Sequence, residues 1–456
     1  MIEIQIVKLG QIVQFRNGVN FSQADEGRGI PILKVKDFGA RHTVPIDGLD
    51  ELERGKIAVP ESQMLAPNDI VIIRSNGNRE LVGRSMIYAG PPNRITFSGF
   101  CIRARVNSDR ALPSYLHYWL RSPLTRQTFS REGNGTGIQN ISQSFLCELS
   151  APLPRLDVQN EIVEILGSLD NKIELNQRMN ETLEAMAQAI FRDWFVDFGP
   201  TRRKIGGATD PIEVIGGLVT DLGRAKQLAD LFPASLGDDG IPVGWRTRKV
   251  ADVADRVAMG PFGSRITKDN FVSHGVPVIR GKNLTEGFVD HDFVYLIPEK
   301  ANELSTSQAR HEDIVFTHRG TLGQVGRIYP GSRYPAYIVS QSQLLLSVDR
   351  TQTSPLFLYF FFRSEDGQRK WLANSGGAGV PAIAQPTRSL KSIEFVDPGS
   401  VLAQRFDACA RMLEDRARSA KRESETLGSM RDLLLPKLMS GEIRLREAEK
   451  QLEAAQ

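Results

Sequence analysis

The sequence predicts an α+β protein, with two α/β domains in internal repeat separated by two long helices that pair as an antiparallel coiled coil. Three observations carry that prediction. A series of segments recurs in the same order about 244 residues further on, at nearly constant spacing. Each copy opens with short β-branched runs and closes with a long heptad pattern. Charge is also laid out in blocks. Residues 1–155 hold 19 Lys+Arg against 14 Asp+Glu, residues 156–199 hold 3 against 9, and residues 245–400 hold 19 against 15.

The repeat reads residue by residue. Gly29-Ile30-Pro31-Ile32 returns as Gly275-Val276-Pro277-Val278, and Asn68-Asp69-Ile70-Val71 as Glu312-Asp313-Ile314-Val315. The stretch from Pro113 to Ser122 matches that from Pro355 to Ser364, and Leu183-Glu184-Ala185-Met186 matches Leu427-Gly428-Ser429-Met430. The implied layout is a first domain at 1–155, a central long helix at 156–199, a linker at 200–244, a second domain at 245–400, and a long helix with its tail at 401–456.

The first elements are strands. Ile32–Val35, Ile70–Ile73 and Ile314–Phe316 are short runs bounded by Gly, Pro, Asn or Asp. Pro113–Leu120 and Pro355–Phe362 begin with proline and continue with aromatic periodicity, which predicts buried helices. From Ile162 the apolar stripe runs through Leu166, Leu169, Ile173, Leu183, Ala187, Ile190 and Trp194, with Asn176 and Asn180 in the same seam. Such a seam of about 33 residues spans about 50 Å. Its second copy is Phe406, Ala410, Leu413, Ala417, Ala420, Ser424, Leu427, Arg431 and Leu434, lined in the middle by small residues. A bulky seam against a small one predicts that the two helices pair within one chain, and the asparagines fix their register. Between them, Gly206-Gly207, Gly216-Gly217, Pro200 and Pro211 predict a linker or irregular excursion long enough for an antiparallel return.

Composition narrows the function classes. With 41% hydrophobic and 24% charged residues the chain reads as soluble and globular, large enough for several cores. Its longest apolar stretch, Pro355–Phe362, falls far short of the roughly 20 residues a membrane helix needs, so no membrane partner is expected. Met1-Ile2-Glu3 lacks the apolar core of a signal peptide, and three cysteines with no CxxC pair predict a reducing cytoplasm without a disulfide framework or thiolate zinc site. A net charge of +3 does not by itself announce a polyanion partner.

Catalytic constellations are sparse. Gly133-Asn134-Gly135-Thr136-Gly137 has neither the Walker pattern nor the spacing of a dinucleotide site. The six histidines form no HExxH pair, no GxSxG elbow exists, and Pro91-Pro92-Asn93 does not make the Asn/Asp-Pro-Pro-aromatic motif of amino-methyltransferases. Asp170-Asn171-Lys172 imitates a nuclease triplet but is expected on the exposed face of a heptad helix. No metal site and no cofactor in this chain are expected.

Binding features are richer. A donor-dense turn with Arg74, Asn76, Asn78 and Arg79 follows one strand of the first block, and His318, Arg319, Thr321 and Gln324 lie in its counterpart in the second. A second pair of strands carries Lys34 and Lys36, matched by Arg280 and Lys282. A third loop, with Asn134, Thr136 and Gln139, faces Gly376–Pro381 in the repeat; Asn140-Ile141-Ser142 then meets a different Gln385-Pro386-Thr387. These residue types hold phosphates and read base edges. An ordinary solvated turn would account for any one loop, but polar loops at equivalent places with different residues suggest two readers of different sequences.

The layout resembles the DNA-specificity subunits of type I restriction–modification systems. The resemblance rests on Leu153-Pro154-Arg155-Leu156-Asp157-Val158-Gln159-Asn160-Glu161-Ile162, on Gln188–Phe198, on Ile241-Pro242-Val243-Gly244-Trp245 and on Leu434-Leu435-Pro436-Lys437-Leu438-Met439-Ser440-Gly441-Glu442-Ile443. It spans nearly the whole chain. It implies two target-recognition domains, related by a pseudo-twofold, each reading half of a split sequence in double-stranded DNA. The paired helices would act as a ruler between the halves. Two methyltransferase (modification) subunits would carry S-adenosylmethionine and adenine N6 chemistry, and restriction subunits would carry ATP and magnesium. Candidate contacts to those partners are Leu183, Met186, Ile190, Phe191, Trp194, Phe195, Leu434 and Leu438. The chain itself would be a non-catalytic subunit. A stand-alone sequence-specific DNA-binding protein and a coiled-coil protein adaptor remain as alternatives.

Overall fold

The computed structural model describes residues 4–39, 42–78, 80–132, 139–261, 265–376 and 379–443. They form two compact units, Met1–Asn180 with Ser419–Gln456, and Glu181–Arg418. Each of the two long helices, Leu156–Phe195 and Ser400–Ser440, supplies residues to both units.

In unit 1 an antiparallel sheet runs Val13–Asn17, Cys101–Val106, Ile70–Ile73, Ser85–Ile87. Ile70–Ile73 is buried at every position, which is why the strand reads as an unbroken apolar run rather than an alternation. A second sheet runs Asp50–Glu53, Gly29–Leu33, Thr96–Phe97, its last two strands parallel with Ile32 beside Thr96. The strand pair Ile4–Lys8 and Ser150–Pro154 ends directly before the central helix. Helix Pro113–Arg121 packs its aromatics into the core, with Tyr115 and Leu116 beside Ile162, Leu166 and Leu169 of the central helix in one cluster.

Unit 2 repeats this plan. Its four-stranded sheet runs Ala254–Met259, Gln343–Val348, Ile314–Thr317, Val325–Arg327, in the same relative order. The parallel pair recurs as Val276–Ile279 and Ala336–Val339, now inside a five-stranded sheet, and Arg246–Lys249 pairs with Glu394–Asp397. The repeat extends to the close approach of backbones. A Cβ built on Gly18 would meet the Ser98 carbonyl oxygen at 2.2 Å, and one on Gly260 the Ser340 carbonyl oxygen at 1.9 Å, so only glycine fits either place. The loops differ at Ser142, which caps helix Gln143–Glu148 by accepting from the Phe145 N–H, whereas helix Pro386–Ser392 starts after Gln385 at φ 45°.

The helices pair antiparallel, as expected. In unit 1 Asp170 meets Arg431 at 2.7 Å and Asn176 Nδ2 donates to Glu423 at 2.8 Å, so residue numbers rise on one helix as they fall on the other. In unit 2 the rings of Phe191 and Phe195 lie 5.6 and 5.4 Å from that of Phe406. Every predicted seam position is buried or half-buried.

Two expectations are corrected. Asp170 is not on an exposed face: it is 2% exposed and ion-paired with both Arg121 and Arg431. The linker at 200–244 is not an irregular excursion. It contains helices Gly199–Ile205, Pro211–Val214 and Leu222–Ala229, and Val214, Ile215, Leu228 and Phe232 belong to the core cluster of unit 2. Its prolines open short helices and its glycines close them, with Gly216 and Gly217 both at positive φ just after Val214.

Candidate nucleic-acid interface

Unit 2 carries a cleft of about 530 Å³ that gathers four of the predicted residues, Arg280, Arg319, Thr321 and Gln324. No Asp or Glu lines it among the described residues, so two guanidinium groups set its charge. Arg280 follows strand Val276–Ile279 and is anchored by its backbone, whose N–H donates to Asn283 Oδ1 at 3.1 Å. Among the described residues no carboxylate pairs with its side chain, and its buried Nε has no hydrogen-bond partner. Arg319 is exposed on a loop fixed by the Gly320 N–H donating to the Pro381 carbonyl at 2.8 Å.

The floor of the cleft is a hydrogen-bonded relay. Gln343 Nε2 donates to Thr317 Oγ1 at 3.3 Å, and that hydroxyl donates to Gln324 Oε1 at 2.9 Å. The relay uses the acceptor of Gln324 and leaves its amide nitrogen to donate. Ser340 Oγ in turn donates to Gln343 Oε1. A cleft with two arginines, oriented amides and hydroxyls and no acid fits a polyanion whose edges carry both acceptors and donors.

The remaining candidates of the second block stand apart. Lys282 is exposed but does not line the cleft. His318 is 5% exposed with Nε2 at 3.2 Å from the Gln341 carbonyl, and burial holds its pKa below the ordinary imidazole value. It fastens the loop from within and leaves little of its ring on the surface.

Hydrogen bonds align the same region of unit 1. The Gly18 N–H donates to the Cys101 carbonyl as Gly260 does to Gln343, and Ile141 donates to Arg74 as Ile383 does to His318. In that register Ile73 replaces Thr317, Cys101 replaces Gln343, Phe100 replaces Ser342, Ser75 replaces Arg319 and Lys34 replaces Arg280. Lys34 is spoken for. Its ammonium lies 2.7 Å from Glu26 and 2.8 Å from Asp50, and 5.0 Å from the Phe21 ring centroid. Lys36, also on Asp50, lies in the 3-10 turn Val35–Asp37 rather than in a strand. Lys34, expected to contact DNA, has its charge balanced by these carboxylates within the fold.

Arg74 donates through Nε to Asn140 Oδ1 at 3.1 Å, tying its turn to strand Gln139–Asn140. Asn76 Oδ1 accepts from the Asn78 N–H at 2.8 Å, and Asn78 Oδ1 from the Glu80 N–H at 3.0 Å, so both shape the turn and keep their amide nitrogens. Arg79, Asn134 and Thr136 lie outside the described residues, as does the side chain of Gln139.

The proposed partner contacts are largely internal. Phe191, Trp194 and Phe195 are 3%, 1% and 6% exposed within the core of unit 2, where Trp194 lies 5.2 Å from the Phe232 ring and Phe195 5.0 Å from Phe357. Leu434 and Leu438 are buried in unit 1. Leu183 and Ile190 are half-buried, and Met186 alone of the eight is exposed. Their aromatic and leucine signature records packing of the helices on their own domains.

Sequence reading missed Gln343, Ser340 and Phe100. The repeat itself held the signal: the segment before each long apolar strand, Ser98-Gly99-Phe100-Cys101 and Ser340-Gln341-Ser342-Gln343, aligns at an offset of 242.

Residues 1–185 match the family described as the type I restriction modification DNA specificity domain. The chain is 26% identical over 370 residues to the specificity subunit of the type I restriction enzyme HindI from Haemophilus influenzae, covering 74% of this chain and 79% of that one. It is 21% identical over 467 residues to the MjaIX specificity subunit of Methanocaldococcus jannaschii, covering 96% and 99%. Among solved structures, the type I restriction-modification S subunit of M. genitalium shares the fold at a TM-score of 0.51 and 13% identity, over 96% of each chain. With its duplicated blocks, paired helices and acid-free cleft, the chain is similar in sequence to type I restriction enzyme specificity subunits over most of its length, and its first 185 residues match the DNA specificity domain.

Proposed function

We propose that this chain is the DNA sequence-recognition subunit of a type I restriction–modification complex, with each unit reading one half of a split target. The observation that carries the reading is one scaffold present twice with different chemistry at the same loop positions: Arg280, Arg319 and the Gln343–Thr317–Gln324 relay in unit 2, against Lys34, Ser75, Cys101 and Ile73 in unit 1. Guanidinium groups pair bidentately with guanine O6 and N7, and a free carboxamide suits adenine, so the unit 2 cleft favours a half-site read by hydrogen bonds.

In this reading the chain supplies the address and the scaffold, and the chemistry belongs to its partners. Two modification subunits bring S-adenosylmethionine and methylate adenine N6. Restriction subunits bring ATP and magnesium for translocation and cleavage. Three cysteines, none in a disulfide, suit the reducing cytoplasm where such a complex would meet DNA.

The test is methylation mapping of genomic DNA from a host carrying this chain with its modification subunit, compared with deletion of this chain alone. Loss of N6-methyladenine from one split motif is the expected result. An unchanged pattern with the methyltransferase still active would overturn the reading.

A further inference from the structure

We propose that Phe100 reads a thymine through its 5-methyl group in the half-site of unit 1. The proposal rests on the reading of each unit as a DNA reader and names a contact that reading leaves open.

Phe100 is 62% exposed, although its neighbour Cys101 is fully buried and Gly99 is pressed against Asn20. The tip that carries it is held firmly. The Phe100 carbonyl accepts from the Arg74 N–H at 2.9 Å and the Ser75 N–H at 3.4 Å, while its own N–H donates to Ser98 Oγ at 3.3 Å. A two-torsion aromatic on such a tip presents a rigid apolar face at little cost in conformational freedom.

Its place gives that face a purpose. In the register of the repeat Phe100 stands where Ser342 lines the cleft of unit 2, beside the turn that carries Arg74 and Asn76. Two of the three relay residues of unit 2 are lost beside it: Ile73 and Cys101, both buried, replace Thr317 and Gln343, and Lys34 is ion-paired with Glu26 and Asp50. With Ile73 and Cys101 at two of the relay positions, the exposed ring of Phe100 offers shape and apolar contact where unit 2 offers hydroxyl and carboxamide groups. On the major-groove edges of the bases the apolar group is the thymine methyl, and phenylalanine is among the side chains that contact it.

The experiment uses the assembled complex of this chain with its modification subunit and duplexes in which each thymine of the target is replaced, one at a time, by deoxyuridine, which lacks only that methyl. Burial of one methyl predicts a loss of roughly 3- to 10-fold in affinity at one thymine of the first half-site. Phe100→Ser, which installs the residue of unit 2, should bind the thymine duplex more weakly and no longer distinguish it from the deoxyuridine duplex. Phe100→Leu should keep part of the discrimination, and the second half-site should respond alike in all three proteins. A first half-site without thymine, no sensitive position within it, or undiminished discrimination in Phe100→Ser would each overturn the proposal. So would a uniform loss across target and scrambled duplexes, which would mark Phe100 as a general contact. Failure of the underlying reading looks different: the wild-type complex would then not prefer its target to a scrambled duplex at all.

Discussion

The two units share a fold and differ at the positions that matter. Where unit 2 has Arg280 without a carboxylate partner among the described residues, unit 1 has Lys34 held between Glu26 and Asp50; where unit 2 has the Gln343–Thr317–Gln324 relay, unit 1 has buried Cys101 and Ile73. The glycines that allow the backbones to approach, Gly18 and Gly260, and the parallel strand pair behind them are unchanged. Duplication thus preserved the backbone that shapes the loop cluster and changed the side chains set into it. A change in specificity on this scaffold needs no change in fold.

The clamps between helices and domains differ as well. Unit 1 uses one carboxylate between two arginines, Asp170 with Arg121 and Arg431. Unit 2 uses a larger alternation in which Arg327 pairs with Glu312 and Glu414, and Arg411 pairs with Glu312 and Asp407. The largest predicted effect follows. Asp170→Ala strands two arginines at a buried site and should destabilise unit 1 by about 3–5 kcal/mol in chemical denaturation. A loss below about 1 kcal/mol would mean that the network of unit 1 is no clamp.

The same carboxylate sets an acid limit. Burial alone would raise the Asp170 pKa, but Arg121 and Arg431 outweigh it and hold the carboxyl below its usual value. A native value below the unfolded one, about 3.9, means that the stabilisation is complete above about pH 4 and is lost as pH falls through the native value. Melting of the wild-type protein between pH 5 and pH 3 should therefore show a loss that Asp170→Asn lacks.

Recognition effects come next. Arg280→Ala and Arg319→Ala should each cost about 1–3 kcal/mol in affinity for duplexes with an intact second half-site, and nothing once that half is scrambled. Equal loss at both halves would break the two-reader comparison. Thr317→Val removes the hydroxyl at the centre of the relay while keeping the side chain's size. It should weaken the second half-site by about 1 kcal/mol. The smallest effect belongs to unit 1: Lys34→Ala separates a partly exposed ion triad and should cost at most about 1 kcal/mol of stability, with half-site preference unchanged.

Much of this was legible in the sequence. The repeat, the strands at Ile70–Ile73 and Ile314–Phe316 and both helical seams follow from periodicity, because backbone pattern and burial dictate those residues directly. The donor-rich loop of unit 2 was legible too, and Arg280, Arg319, Thr321 and Gln324 do share one cleft. What stayed hidden depends on partners distant in sequence. Lys34 reads as a free cation until Asp50 is folded beside it, and Asp170 reads as exposed until Arg431, 261 residues away, reaches it. Phe191, Trp194 and Phe195 read as a sticky surface because the residues that cover them, Phe232, Phe357 and Phe406, come later in the chain.

The most direct test of two readers on one scaffold is N6-methyladenine mapping in a host whose modification subunit is paired with the Arg280→Ala/Arg319→Ala protein. The account predicts that methylated sites keep the first half of the split motif and lose selectivity in the second. A motif unchanged in both halves, or relaxed equally in both, would contradict it.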